Sequence, residues 1–406
     1  MDQRKRMILA SAGVVAMFVA VQIGSLALVE PFQQEGHQVV DDTDDPSWSI
    51  YYLLAILIIT ALMLTALKRG GQQFLRLLII FAGVYIAFFV FEVLVPPILS
   101  VSAVGVTFNL LSWGGALALG AALYFYPEWY VIDAAGIIMG IGAAGLFGVN
   151  LSIFPVIVLL VGLAIYDAIS VYKTEHMLTL ASGAMDMRVP VVLVIPLSFT
   201  YSFLDDENVP DPASEHGRAE ETKGSPAEHV TDGNEATEAV TTTDGVDTAA
   251  ESDRSDPSLD AETLEELGPV GISELEPEQL ATIDESTLKQ LDDLHRDAIE
   301  DALPRRDALF IGLGDAVIPT VLVASAAVFV DTTSYTLLGI TVTLPALTAM
   351  AGTIVGLVLL LWLVSKGRAH AGLPLLNGGA ITGYVIGALL SGLSLAEAIG
   401  YPGGPL

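Results

Sequence analysis

Two aspartates stand out by their surroundings. Asp167 lies in IFPVIVLLVGLAIYDAISVY and Asp315 in FIGLGDAVIPT, each an otherwise uncharged apolar stretch. A carboxylate at bilayer depth costs several kcal/mol, so an acid retained there serves a purpose. Each acid alone reads as a salt bridge or hydrogen bond to a neighbouring helix. If the two meet in a poorly solvated pocket, they cannot comfortably both ionise, and the pair holds one proton between them. Such a pair can hydrolyse a peptide. The ionised member takes a proton from water, the water attacks the amide carbonyl, and the protonated member donates to the carbonyl oxygen. Sequence does not say which acid plays which part. The alternative use of two buried aspartates is ion binding or proton relay in a polytopic transporter or channel. A blander reading is a membrane chaperone that binds substrate and cuts nothing.

The elements that position these acids are apolar. The chain has 406 residues, of which 53% are hydrophobic, and a mean hydropathy of +0.62. That excludes an ordinary soluble protein of this length. The net charge is nevertheless −30, because residues 205–301 hold 30 acidic against 5 basic side chains. An acidic, lysine-poor aqueous portion suits molar salt, where the Debye length shrinks to about 3 Å, and points to a halophilic source. There is no cysteine, so disulfides, thiolate metal sites and cysteine nucleophiles are excluded.

Apolar stretches at 7–29, 49–67, 74–95, 98–126, 130–149, 152–172, 308–330, 337–364 and 373–393 predict an all-α polytopic membrane protein. Its nine transmembrane helices fall in a six-plus-three arrangement. The expected parts are an N-terminal six-helix membrane part over 1–172, an acidic and largely disordered loop over 173–306, and a three-helix part over 307–406. The basic N-terminus followed by a long apolar run reads as an uncleaved first helix. A short amphipathic helix is expected near the end of the loop, on Leu288, Leu291, Asp292, Leu294 and Ile299. The segment VPVVLVIPLSF, 189–199, is too short to cross a bilayer and reads as a strand or interfacial piece.

With nine spans, all 17 lysines and arginines fall on the side of the N-terminus and the large loop. That side is therefore expected to be cytoplasmic, with the C-terminus outside. Asp167 is about five residues from the cytoplasmic end of span 6, and Asp315 about eight from that of span 7. At 1.5 Å per residue, both lie roughly 8–12 Å deep. Gly312 and Gly314 thin the helix wall beside Asp315, and Pro319 follows as a kink point.

These residues carry a resemblance. Tyr166-Asp167 and GLGD, 312–315, resemble the YD and GxGD motifs of the intramembrane aspartyl proteases, the presenilins and signal peptide peptidases. The longer string AIYDAISVYKTEHMLTLA is similar to the archaeal presenilin-like branch. The resemblance spans all nine predicted helices. It implies a presenilin-like fold, Asp167 and Asp315 as the catalytic pair, and site-shaping roles for Tyr166, Gly312 and Gly314. No metal or other cofactor is implied. The family's third motif, Pro-Ala-Leu, corresponds to Ala371-Gly372-Leu373, followed by Pro374; only Leu373 matches. A literal Pro345-Ala346-Leu347 falls in span 8, the wrong place. Gly372 and Pro374 break the helix start, leaving backbone groups able to pair with an unwound substrate. Such a substrate must unwind, and its freed groups need partners in the membrane. Residues 189–199 and the Gly372–Pro374 edge are candidates. The implied partners are single-span membrane proteins or signal-peptide-like segments in a lipid bilayer, with no nucleic acid; the oligomeric state is open.

Other signals carry less. GIGAAG, 140–145, lies inside a span with no strand before it, so close helix packing explains it better than a dinucleotide site. His176 and His370 read as structural or interfacial. No HExxH is present, and Ser112 has no histidine in the membrane to pair with. Glu92 and Asp133 lie near span ends, where solvation is cheap.

Overall fold

The structure is a computed structural model. It describes residues 3–40, 42–103, 106–173, 187–197, 308–337, 339–364 and 371–400, with isolated positions between 264 and 295. His176, His370 and most of the acidic stretch, including all of its predicted amphipathic positions but Leu291, lie outside the described residues.

Apolar length decides the helices. They are α1 (Gln3–Gln34), α2 (Ser47–Lys68), α3 (Gln72–Leu94), α4 (Leu110–Phe125), α5 (Trp129–Asn150), α6 (Ile153–Lys173), α7 (Leu313–Phe329), α8 (Leu344–Val364), α9 (Gly372–Leu390) and the short α10 (Leu395–Ile399). Among the described residues, seven are long and apolar enough to cross a membrane; α4 and α7 are apolar but shorter, at 16 and 17 residues. Much of the exterior is apolar, with Ile58, Leu62, Phe81, Val355 and Trp362 exposed. Water would penalise such a surface and lipid does not.

The all-α expectation needs correction at three places. The apolar runs 98–126, 308–330 and 337–364 each begin with extended chain rather than helix. Strands β1 (Ser100–Ala103) and β2 (Val106–Asn109) precede α4, and β5 (Ser334–Leu337) and β6 (Ile340–Thr343) precede α8. β3 (Val192–Pro196) pairs antiparallel with β4 (Ala308–Gly312), which leads into α7. Hydropathy alone cannot separate strand from helix, but these leading segments are rich in Val, Ile, Thr and aromatic residues, which favour strands.

The chain divides into two units. In the first, residues 1–214 with 307–406, α5 is central and packs on α1, α3, α7 and β3. Its glycines let these neighbours approach: a side chain at Gly140 would meet Val21 and Leu313, and one at Gly148 would meet Ala324. GIGAAG is thus a packing surface. α8 and α9 pack through Gly352 and Gly356 against Gly379 and Gly383, with backbone nearly touching backbone, and Gly387 lies against Thr348 and Pro345. Pro345 lies against Gly387, at the opposite end of α9 from Gly372. In the second unit, residues 215–306, Leu264, Ile272 and Leu291 are buried.

Candidate active site

Asp167 projects from the last third of α6 and is 4% exposed. Its Oδ2 accepts a hydrogen bond from the Leu373 amide at 3.0 Å, and the Gly372 amide contributes a second. Both amides belong to the first turn of α9. A helix start has no intrahelical partners for its first N–H groups, and a carboxylate is the natural acceptor there.

Asp315 reaches the same turn from the other side. It lies in the first turn of α7, after Gly312. A methyl group on Gly372 would sit 3.2 Å from its Oδ2 and 3.5 Å from its Cγ. The structure therefore brings Asp167 and Asp315 together on Gly372 and Leu373, close enough for their charges to interact. α6 packs on both α7 and α9. Each acid also faces the positive end of a helix: Asp315 that of its own α7, Asp167 that of α9. Residue 319 is proline, which cannot donate to the Asp315 carbonyl as a normal fourth residue along would.

The other predicted site residues divide. Ala371 caps α9 from extended backbone and is buried, as is Leu373. Pro374 follows in the first turn. Gly372 is the tight position, because a side chain there meets Asp315 and Leu360. Gly312 is not part of a helix wall; it is the last residue of β4, with ordinary room for a side chain beside Asp315. Gly314 is exposed and equally unconstrained, since a methyl group there would lie 3.9 Å from Ile318. Tyr166 is half-buried. Span 7 also starts differently from the expectation. Residues 308–312 are strand, so the chain reaches Asp315 extended, at about 3.3 Å per residue rather than 1.5 Å.

The segment 189–199 forms a strand over 192–196. Its partner is β4, in the register Val192 to Gly312 through Pro196 to Ala308. The Leu313 amide donates to the Val191 carbonyl at 2.8 Å, extending this ladder to the start of α7.

Two residues escape a reading from sequence. Asn377 on α9 is buried and donates to the Leu160 carbonyl of α6 at 2.9 Å, clamping the two helices below the site. Asp133, expected near a solvated span end, is instead 4% exposed and accepts from the Val194 amide at 2.7 Å. β3 lies over it and excludes water. A polar residue within an apolar run is the available signal for both, but their partners are 217 and 61 residues away. Ser112 donates to the Phe91 carbonyl. Among the described residues no cluster of three or more His, Cys, Asp or Glu could hold a metal ion.

The family model of the signal-peptide peptidase and presenilin aspartyl proteases matches residues 15–220 and 278–393. A solved structure of a presenilin-family intramembrane aspartate protease is 26% identical, with a TM-score of 0.50, covering 94% of this chain and 99% of that one. A second crystal form is also 26% identical, covering 93% and 97%, with a TM-score of 0.48. No curated protein matches.

Proposed function

The chain belongs to the signal-peptide peptidase and presenilin family of aspartyl proteases, and from that premise we propose that Asp167 and Asp315 are the catalytic pair of a GxGD-type intramembrane endopeptidase. The observation that carries this is the convergence of both carboxyl groups on the Gly372–Leu373 turn.

The chemistry follows from a shared proton. The ionised acid removes a proton from water as its oxygen bonds to the scissile carbonyl carbon. The protonated acid gives its proton to the carbonyl oxygen, forming a neutral gem-diol. Collapse returns a proton from the diol to the carboxyl pair and delivers another to the amide nitrogen. The C–N bond breaks, leaving a carboxylic acid and an amine. No metal or cofactor enters. Having no side chain at Gly372 lets Asp315 approach the first turn of α9, and that turn orients Asp167. Gly312 and Gly314 leave space beside Asp315, Tyr166 borders Asp167, and Ala371 to Pro374 position substrate.

The substrate is a single-span or signal-peptide-like segment in the bilayer, unwound locally so that its amide is accessible. The molecule is read as nine spans in a six-plus-three arrangement, with α4 and α7 as the two short spans. Residues 173–306 form a cytoplasmic loop between membrane parts 1–172 and 307–406. Arg76 supports this orientation, since it lies at the start of α3 and donates to the Tyr124 carbonyl at the end of α4, at 3.1 Å. That puts a cation at a helix C-terminus on the side assigned to the cytoplasm. The acidic loop fits an archaeal, halophilic source.

The test uses purified full-length protein in lipid vesicles with a fluorogenic single-span substrate. Wild type should cut within the transmembrane segment. Asp167→Asn and Asp315→Asn should each lower kcat by about 10³-fold or more, with the double variant no worse, because the two act as a unit. Cleavage that survives either substitution refutes the assignment. Ion flux without cleavage would favour the transporter reading.

A further inference from the structure

We propose that Gln22 and Ser25 of α1 bind water inside the helix bundle, at a hydration site where α1 meets α7 and α8. The site is separate from the aspartate pair and does not depend on how that pair is used.

Both side chains are fully buried, at 0% exposure. Gln22 Oε1, Gln22 Nε2 and Ser25 Oγ have no hydrogen-bond partner among the described residues. A serine can turn its hydroxyl to a carbonyl one turn back on its own helix, as Thr320 does at Ala316. A carboxamide cannot be satisfied that way, because it offers two donors and an acceptor. Elsewhere the chain meets this demand directly. Asn150 accepts from the Val39 and Val40 amides and donates to the His37 and Leu146 carbonyls. Asn377 donates to the Leu160 carbonyl. A carboxamide left dry in an apolar core is costly, so Gln22 calls for a partner that no described residue supplies.

The register of the helices shows what surrounds the two residues. A methyl group on Gly24 would strike Ile141, so α5 covers that side of α1. Phe18 lies on a different face and shares an apolar cluster with Ala316 of α7 and Leu357 of α8. Gln22 and Ser25 follow Phe18 by one and two turns on that same face. Asp315 opens α7, so α7 runs away from the aspartate pair. Leu360, late in α8, lies by Gly372, so α8 runs toward it. One turn beyond Ala316 on α7 is Thr320, and one turn before Leu357 on α8 is Thr353; both are 0% exposed. Their hydroxyls donate to their own helices, at the Ala316 and Ala349 carbonyls. Their oxygens can still accept.

Water fits this set and a cation does not. A buried water makes about two to four hydrogen bonds, as donor and as acceptor. Three unpartnered polar atoms one helical turn apart, with two threonine oxygens at the same level, meet that requirement. Met7 to Val29 of α1, α7 beyond Asp315, and all of α8 contain no charged residue. A bare cation there would have no counter-charge. Thr320 is five residues past Asp315, about 7–8 Å along α7. Water at this level links α1 to the helix that carries Asp315.

The test uses full-length protein in lipid vesicles and reads two quantities. In water-edited solid-state NMR of the uniformly labelled wild type, the Gln22 side-chain amide is assigned through Val21 and Ile23. It should show transfer from water at short mixing times, which the buried backbone amides of Val21 and Leu26 lack. Gln22→Leu keeps the bulk but cannot hold water shared with Ser25, so it should lower Tm by about 2–4 °C. No water transfer to Gln22 overturns the proposal. So does a Gln22→Leu variant that melts at or above the wild-type temperature, the mark of a carboxamide that had been buried dry. The NMR readout is taken on the wild type, so it decides the matter even if the leucine variant fails to fold.

Discussion

Gly378 and Gly379 are neighbours on α9 that face opposite surroundings, and substituting each with alanine should give opposite results. A methyl group on Gly379 would meet the Gly352 carbonyl of α8 head-on, with the carbonyl carbon at 3.1 Å and the Gly356 nitrogen at 3.4 Å. Backbone cannot rotate aside as a side chain can, so the helices must separate by roughly 0.5–1 Å to restore ordinary contact. Overpacking of this kind costs about 1–3 kcal/mol. The same shift carries the first turn of α9, where Leu373 donates to Asp167 at 3.0 Å. A misplacement near 1 Å can lower a rate by about 10²-fold. Gly379→Ala should therefore melt earlier and cleave a single-span substrate about 10- to 100-fold more slowly. Gly378 has nothing within 4 Å of its methyl position. Gly378→Ala should cleave normally and gain about 0.5–1 kcal/mol from helix propensity. Thermal unfolding in detergent and initial rates in vesicles measure both. Equal behaviour of the two variants would refute the claim that α8 sets the position of the site through α9.

Two further outcomes follow from the site. Asn377→Leu removes the donor to the Leu160 carbonyl and should destabilise the α6–α9 contact by about 1 kcal/mol while lowering kcat; unchanged unfolding and rate would remove the clamp from the mechanism. The rate should fall on both sides of an intermediate pH, since above it both acids ionise and none can donate, and below it both are protonated and none can accept. A flat profile of kcat against pH would argue against a shared proton.

How much of this is legible in the sequence depends on the range of each signal. Asp167 and Asp315 can be found because a charge within an apolar window is a local anomaly. Ala371-Gly372-Leu373 can be placed at a helix start because glycine and proline interrupt a helix locally. The run 308–312 reads as helix, since a five-residue apolar strand joined to an apolar helix has the hydropathy of one long span. Its pairing with 192–196 joins residues 120 apart, as at Val192 and Gly312, and no periodicity reports that. Asp133 looks like a wet residue near a helix end until β3 covers it.

Sequence by itself determined the membrane class, the two acids and the break at Gly372, because each depends on residue type against its immediate neighbours. Tertiary structure decided that both carboxyl groups meet the first turn of α9, that α7 begins only at Leu313, and that a third acid grips β3. Those outcomes come from packing between segments far apart in the chain. Glycine contacts and backbone hydrogen bonds set such distances to within tenths of an ångström, and hydropathy carries no information at that scale.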